Sequence, residues 1–117
     1  MTRIGMITLN STDYSRTAHW WKERLNATVA GDYPGFMMLQ VPGLPALLGF
    51  QQVTEVADET RVHLDLEADP NLGREASVQA FVDAGASHVD SHQPSEDFGW
   101  DVLRDPFGMI FCLSDAH

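Results

Sequence analysis

The chain has 117 residues, 44% hydrophobic and 21% charged, the proportions of one globular domain. Its 17 acidic against 7 basic residues give a formal charge of −10, which argues against nucleic acid and anionic membranes as partners, since both demand basic surface. The lone Cys112 excludes an internal disulfide, and neither the N-terminus nor the longest apolar patch, Ala46 to Phe50, has the length of a signal or membrane segment, so the chain reads as cytoplasmic.

Ile4 to Asn10 is an extended run, and Ser11-Thr12-Asp13 offers oxygens that cap a helix. The spacing of Ala18, Trp21 and Leu25 predicts a helix over Tyr14 to Leu25, with Trp20 off the apolar stripe and Asn26 closing it. Ala27 to Ala30 reads as a short strand, Gly31 to Gly35 as a turn cluster, and Phe36 to Val41 as a strand. Pro42-Gly43 is a turn, Ala46 to Val53 another strand, and the acidic stretch 54–59 a linker.

The second half repeats this order. Arg61 to Ala68 is a strand; Asp69-Pro70-Asn71 opens a helix that runs to about Ala84, with Pro70 in its first turn and Val78, Phe81 and Val82 on its buried face. Gly85 ends it, Ser87 to Asp90 is a strand and Ser91 to Asp97 a polar loop. Trp100 to Arg104 and Met109 to Ser114 are strands around the turn Asp105-Pro106-Phe107-Gly108. Leu25-Asn26-Ala27-Thr28-Val29 parallels Ala84-Gly85-Ala86-Ser87-His88, and Leu39 to Gly43 parallels Leu103 to Gly108 with one insertion.

The expectation is an α+β fold in one domain over 1–117: two βαβββ modules, about 3–53 and 60–115. Their sheets would form a curved mixed sheet or open barrel with helices outside and a concave face free for a ligand. Period-two parity puts Arg61, His63, Asp65 and Glu67 on one strand face and Val62, Leu64 and Leu66 on the other, so Asp65 is placed to orient His63.

Leu47-Leu48-Gly49-Phe50-Gln51-Gln52-Val53, Arg61-Val62-His63-Leu64-Asp65-Leu66, Phe98-Gly99-Trp100-Asp101-Val102-Leu103, Asp105-Pro106-Phe107-Gly108 and Phe111-Cys112-Leu113 together resemble the vicinal oxygen chelate superfamily. That superfamily includes glyoxalase I, extradiol dioxygenases, and the bleomycin and fosfomycin resistance proteins; small bacterial glyoxalase-like proteins are the nearer resemblance. The resemblance implies a divalent metal acting as a Lewis acid, held on the first and last strand of each module. It maps the four ligand positions onto Met6, Gln51, His63 and Cys112, with Met6 matching His63 and Gln51 matching Cys112 across the modules.

His63 is a good ligand and Gln51 a weak one; Met6 is a poor ligand for a hard ion, and Cys112 stands where Glu is usual. This set argues against the usual catalytic metal. If a metal binds, His63, Gln51 and Cys112 hold it, and zinc on His63, Cys112 and a third group is the form left open. Trp100, Phe50 and Phe36 are candidate pocket walls or core, and Cys112 has no basic neighbour to make it a nucleophile. His19, His88, His92 and His117 have no ligand-like spacing. No phosphate loop, dinucleotide fingerprint or serine-hydrolase elbow occurs.

The resemblance thus suggests a homodimeric small-molecule-binding protein of the sequestration or resistance type, with His63, Asp65, Gln51, Trp100, Cys112, Phe50 and Met6 around the ligand. The alternative is a metal-dependent lyase, isomerase or dioxygenase.

Overall fold

The computed structural model describes residue 1 and residues 4–56 and 62–116. Arg61, His117, the module start at residue 3 and the linker over 57–59 lie outside the described residues. The chain divides into two compact units, Met1–Asp58 and Glu59–His117. Each is a βαβββ module, so the chain has the α+β class read from its repeat.

The first module runs β1 (Met6–Ser11), α1 (Tyr14–Leu25), β2 (Thr28–Tyr33), β3 (Phe36–Gln40), β4 (Leu47–Gln52). Its sheet has the order β1-β4-β3-β2, with β1 parallel to β4 and the other pairs antiparallel. Local chemistry sets the ends of α1. The Asp13 carboxylate accepts from the Arg16 amide at 3.2 Å, and Asn26 adopts a left-handed φ of 53°. The helix buries Thr17, Ala18 and Trp21, and the sheet contributes Met37, Leu39, Leu48 and Phe50 to the core. Trp21 is fully buried; hiding its roughly 200 Å² at about 25 cal/mol per Å² is worth on the order of 5 kcal/mol. A buried hydrogen bond between Ser11 Oγ and Thr17 Oγ1, 2.7 Å long, ties the helix to β1.

The turn expected over Gly31 to Gly35 is shorter than its composition suggests, because β2 continues to Tyr33. Gly31 serves the strand: a Cβ there would sit 2.5 Å from Met38 Cε.

The second module runs β5 (Leu64–Glu67), α2 (Arg74–Asp83), β6 (Ser87–His92), β7 (Trp100–Arg104), β8 (Ile110–Ser114), with sheet order β5-β8-β7-β6. Here α2 starts later than expected. The Asp69 carboxylate accepts from the Asn71 amide at 2.8 Å, and its carbonyl accepts from Leu72 and Gly73. These bonds make 69–73 a turn, and Gly73, at φ 84°, opens the helix. On α2 only Ser77 is buried; Val78, Phe81 and Val82 are half-buried. Polar ties take up the load: Ser77 Oγ accepts from the Asp69 amide, and Arg74 pairs with Asp101 and Asp115. Ser91 and His92, expected in a loop, extend β6 through pairing with Asp101 and Trp100.

The strand registers align the modules residue by residue. Each has a bulge at the same place, between Val29 and Gly31 opposite Leu39, and between His88 and Asp90 opposite Leu103. Leu39 pairs with Leu48, which pairs with Ile7; Leu103 pairs with Phe111, which pairs with Leu64. Met6, Thr8 and Gly49 therefore correspond to His63, Asp65 and Cys112. Gln51 corresponds to Ser114 rather than to Cys112, which corrects the match read from the motifs. Among the described residues no helix is long and apolar enough to cross a membrane.

Candidate functional site

Among the described residues, one group of three coordinating side chains converges at the parallel pair β5–β8, with His63 just ahead of β5. His63 and Asp65, two residues apart, share a strand face, and Asp65 is in register with Cys112. One ligand atom from each of the three lies within 4.8 Å of the others. His63 Nε2 is 3.2 Å from Asp65 Oδ1, with both side chains solvent-accessible. Burial and the facing Asp65 carboxylate push the Cys112 thiol above its ordinary value of 9.0. At neutral pH it is therefore a thiol, and it lacks the electropositive surroundings of a nucleophilic cysteine.

On the same face Val102 lies opposite Cys112, and Trp100 opposite Ser114. The half-buried Trp100 stacks on His92, with centroids 5.0 Å apart and planes at 24°. His92 Nε2 is in turn 3.3 Å from Asp90 Oδ2. Asp90 lies in the strand read over Ser87 to Asp90, but His92 escaped the sequence reading because Ser91 to Asp97 looked like a polar loop; it pairs with Trp100 and so shares its face.

The first module carries different chemistry at the matched positions. A Cβ on Gly49 would lie 2.9 Å from Phe36 Cζ, 3.0 Å from Met6 Sδ and 3.3 Å from Thr8 Oγ1. Met6, Thr8, Phe36 and Gly49 thus meet on one face, to which register adds Met38 and Gly31. Met6 is 39% exposed. Gln51, across from Asn10 and Phe36, is exposed. Phe50 is fully buried and points with Leu48 to the opposite face, so it belongs to the core. The neighbouring Gln52 closes α1: its Oε1 accepts from the Tyr14 amide at 3.1 Å and its Nε2 donates to the Thr12 carbonyl at 2.7 Å.

A second polar cluster has the composition of a hydrolase triad but not the geometry. Ser91 Oγ and His88 Nε2 both bond Asp101 Oδ1, and His88 Nε2 is also the atom facing Ser91, 2.9 Å away. A relay needs the two ring nitrogens to face different partners. Here everything converges on a buried carboxylate. Burial pushes the Asp101 carboxyl up, but bonds from Ser91 and His88 and the charge of Arg74 outweigh it and hold it below its ordinary value. An open depression lined by Asn26, Thr28, Gln40 and residues 41–45 offers no titratable group.

A family model described as a glyoxalase-like domain matches residues 6–114. No curated protein matches the sequence. Among solved structures, a glyoxalase/bleomycin resistance protein/dioxygenase family enzyme from Burkholderia phytofirmans is similar at 15% identity and TM-score 0.76, covering 97% of this chain and 98% of its own. The fosfomycin resistance protein FosX from Listeria monocytogenes is similar at 11% identity and TM-score 0.80, with 100% and 95% covered. An E126Q mutant of that FosX, in complex with Mn(II) and 1S,2S-dihydroxypropylphosphonic acid, is similar at 12% identity and TM-score 0.76, with 97% and 89% covered. At these identities the likeness is one of fold.

Proposed function

This chain belongs to the glyoxalase-like domain family, and from that premise we propose that it binds and sequesters an apolar or aromatic small molecule without the hard divalent ion its fold relatives suggest. The observation that carries the reading is the inventory of the first module's face. Met6, Thr8 and Gly49 stand where the second module has His63, Asp65 and Cys112. A thioether is a poor ligand for a manganese-type ion, glycine supplies no side-chain donor, and the one hard donor left, the Thr8 hydroxyl, is neutral where such ions favour carboxylates. Cys112 adds a soft sulfur where a hard ion wants oxygen. The residues present therefore do not fit that ion, and no chemical step is routed through it.

What they do fit is a flat, weakly polar ligand. Met6 and Met38 are adaptable thioethers that pack on aromatic rings, while Phe36 adds a ring beside the Gly49 floor. The Trp100–His92 stack is a similar surface in the second module. The charge of −10 favours a neutral or cationic ligand over an anionic one.

The lone cysteine supports a cytoplasmic setting. The small size supports a homodimer, as do the exposed Val29, Tyr33 and Val89 on the sheet-edge strands β2 and β6. Nucleic acid and membrane surfaces stay outside this reading on charge.

A thermal-shift screen tests the proposal. Planar aromatic compounds should raise Tm, and Mn(II) should leave it unchanged. Stoichiometric Mn(II) binding that is lost in His63→Ala would overturn it. The second reading, a metal-dependent lyase, isomerase or dioxygenase, has the convergence of His63, Asp65 and Cys112 in its favour. Turnover of a glyoxalase-type substrate that responds to His63→Ala would select it.

A further inference from the structure

We propose that the first module takes a neutral bicyclic aromatic ligand with hydroxyl or carbonyl groups at one end, stacked on Phe36 and Tyr33. The inference rests on the sequestration reading and names the ligand class for it.

Three features carry it. The first is a pair of low-lying rings. Phe36 and Tyr33 are opposite each other on β3 and β2, so their side chains share a face. Each ring lies over a glycine. A Cβ on Gly49 would be 2.9 Å from Phe36 Cζ, and a Cβ on Gly31 would be 2.9 Å from Tyr33 Cε2. With no side chain beneath them, both rings fold down against the sheet, and Tyr33 is still 57% exposed. Planar ligands stack on such a surface. The two glycines flank Met38 in register, two strand spacings apart. That distance, about 9.5 Å, is the length of two fused rings with a substituent.

The second is direction. The row that starts with Tyr33 and Phe36 continues into Gln51 and Asn10, and the row of the two glycines ends in Thr8. The face is therefore aromatic towards β2 and hydrogen-bonding towards β1. Two carboxamides and a hydroxyl offer both donors and acceptors there, a match for oxygen groups at one end of the ligand.

The third is charge. None of the strand residues that register puts on this face is charged. The matched rows of the second module carry Asp65, Glu67 and Asp90. An ionic ligand would shed water on the first face without gaining a counter-charge, which selects a neutral one.

The test is equilibrium dialysis of the full chain at neutral pH against naphthol, naphthoate and naphthylmethylammonium, with phenol as the one-ring control. Wild type should bind naphthol about tenfold more tightly than either ion or phenol. Tyr33→Leu and Phe36→Leu should each weaken naphthol about fivefold, the scale of a lost stacking contact. Tyr33→Leu should do so with wild-type melting and sedimentation, which separates ligand contact from folding and assembly. Gln51→Glu puts a carboxylate at the polar end of the row and should raise binding of naphthylmethylammonium relative to naphthol about fivefold. A purely structural role for these residues would leave that ratio unmoved. An ion bound by wild type as tightly as naphthol would overturn the neutral class and leave sequestration standing. Naphthol affinity unchanged in both leucine variants, or an unmoved ratio in Gln51→Glu, would overturn the stacked arrangement. Binding of none of the bicyclic compounds would overturn the sequestration reading as well.

Discussion

Arg74 Nε lies 3.2 Å from Asp101 Oδ2, joining the first residue of α2 to a buried carboxylate in the inner strand β7. The same guanidinium reaches Asp115 through Nη1 at 3.0 Å and Gln93 through Nη2 at 2.5 Å. A helix with one buried residue and no side-chain cap is thus anchored by charge at its start.

The Asp101 carboxyl is held below its ordinary value of 3.8, so the folded chain keeps this charge to lower pH than the unfolded chain does. Its contribution is whole above the unfolded value and is lost as pH falls through the folded one. Urea midpoints should therefore fall as pH drops below about 4. In Asp101→Asn this component should vanish, with a loss of about 3 kcal/mol at neutral pH. An Asn variant whose acid profile matched wild type would refute the assignment.

Trp21→Ala removes the largest fully buried side chain of the core. The expected cost is about 3–5 kcal/mol, read as a fall in urea midpoint. Trp20→Ala should cost less, because Trp20 is half-buried, touching Trp21 edge-on at 4.9 Å and lying under Arg24.

Gly49→Val tests the ligand face of the first module. The added atoms meet the ends of Phe36 and Met6, which must move aside. The variant should keep most of its stability yet lose the Tm increase given by an aromatic ligand. An unchanged ligand shift would place binding elsewhere.

Asn26→Ala should destabilise by about 1 kcal/mol, since residue 26 sits at φ 53°, where a Cβ without a side-chain hydrogen bond is strained. Asn26→Gly should be close to neutral in the same thermal melt, because glycine takes this conformation freely.

Much of this architecture was legible because local chemistry and packing agree. In α1 the Asp13 cap, the Ala18–Trp21 face and the Asn26 terminator all mark Tyr14–Leu25, and the helix has those bounds. Asp69-Pro70 misled because an acidic residue before proline resembles a helix start, whereas its carboxylate is spent on the Asn71 amide. The last two residues of β6, Ser91 and His92, were hard to see because every side chain of the strand is exposed. Backbone pairing to β7 and the bonds of His88 and Ser91 to Asp101 hold it instead of an apolar alternation.

The candidate site divides in the same way. The pairing of His63 with Asp65 follows from the period-two spacing read over Arg61 to Ala68, although β5 itself begins at Leu64. That Asp65 faces Cys112 depends on the register between β5 and β8, which are separated by α2 and two further strands. No local pattern encodes that register. The two-residue misplacement of Gln51 has the same origin, since its counterpart emerges only once the bulges are aligned.

The matched bulges also supply a ready-made blank. His63→Met, Asp65→Thr and Cys112→Gly together would write the first module's residues into the second, at backbone positions where the same fold already carries them. Any property that survives this transplant belongs to the scaffold, and any that disappears belongs to those three side chains. The duplicated module thus provides an internal reference for its partner.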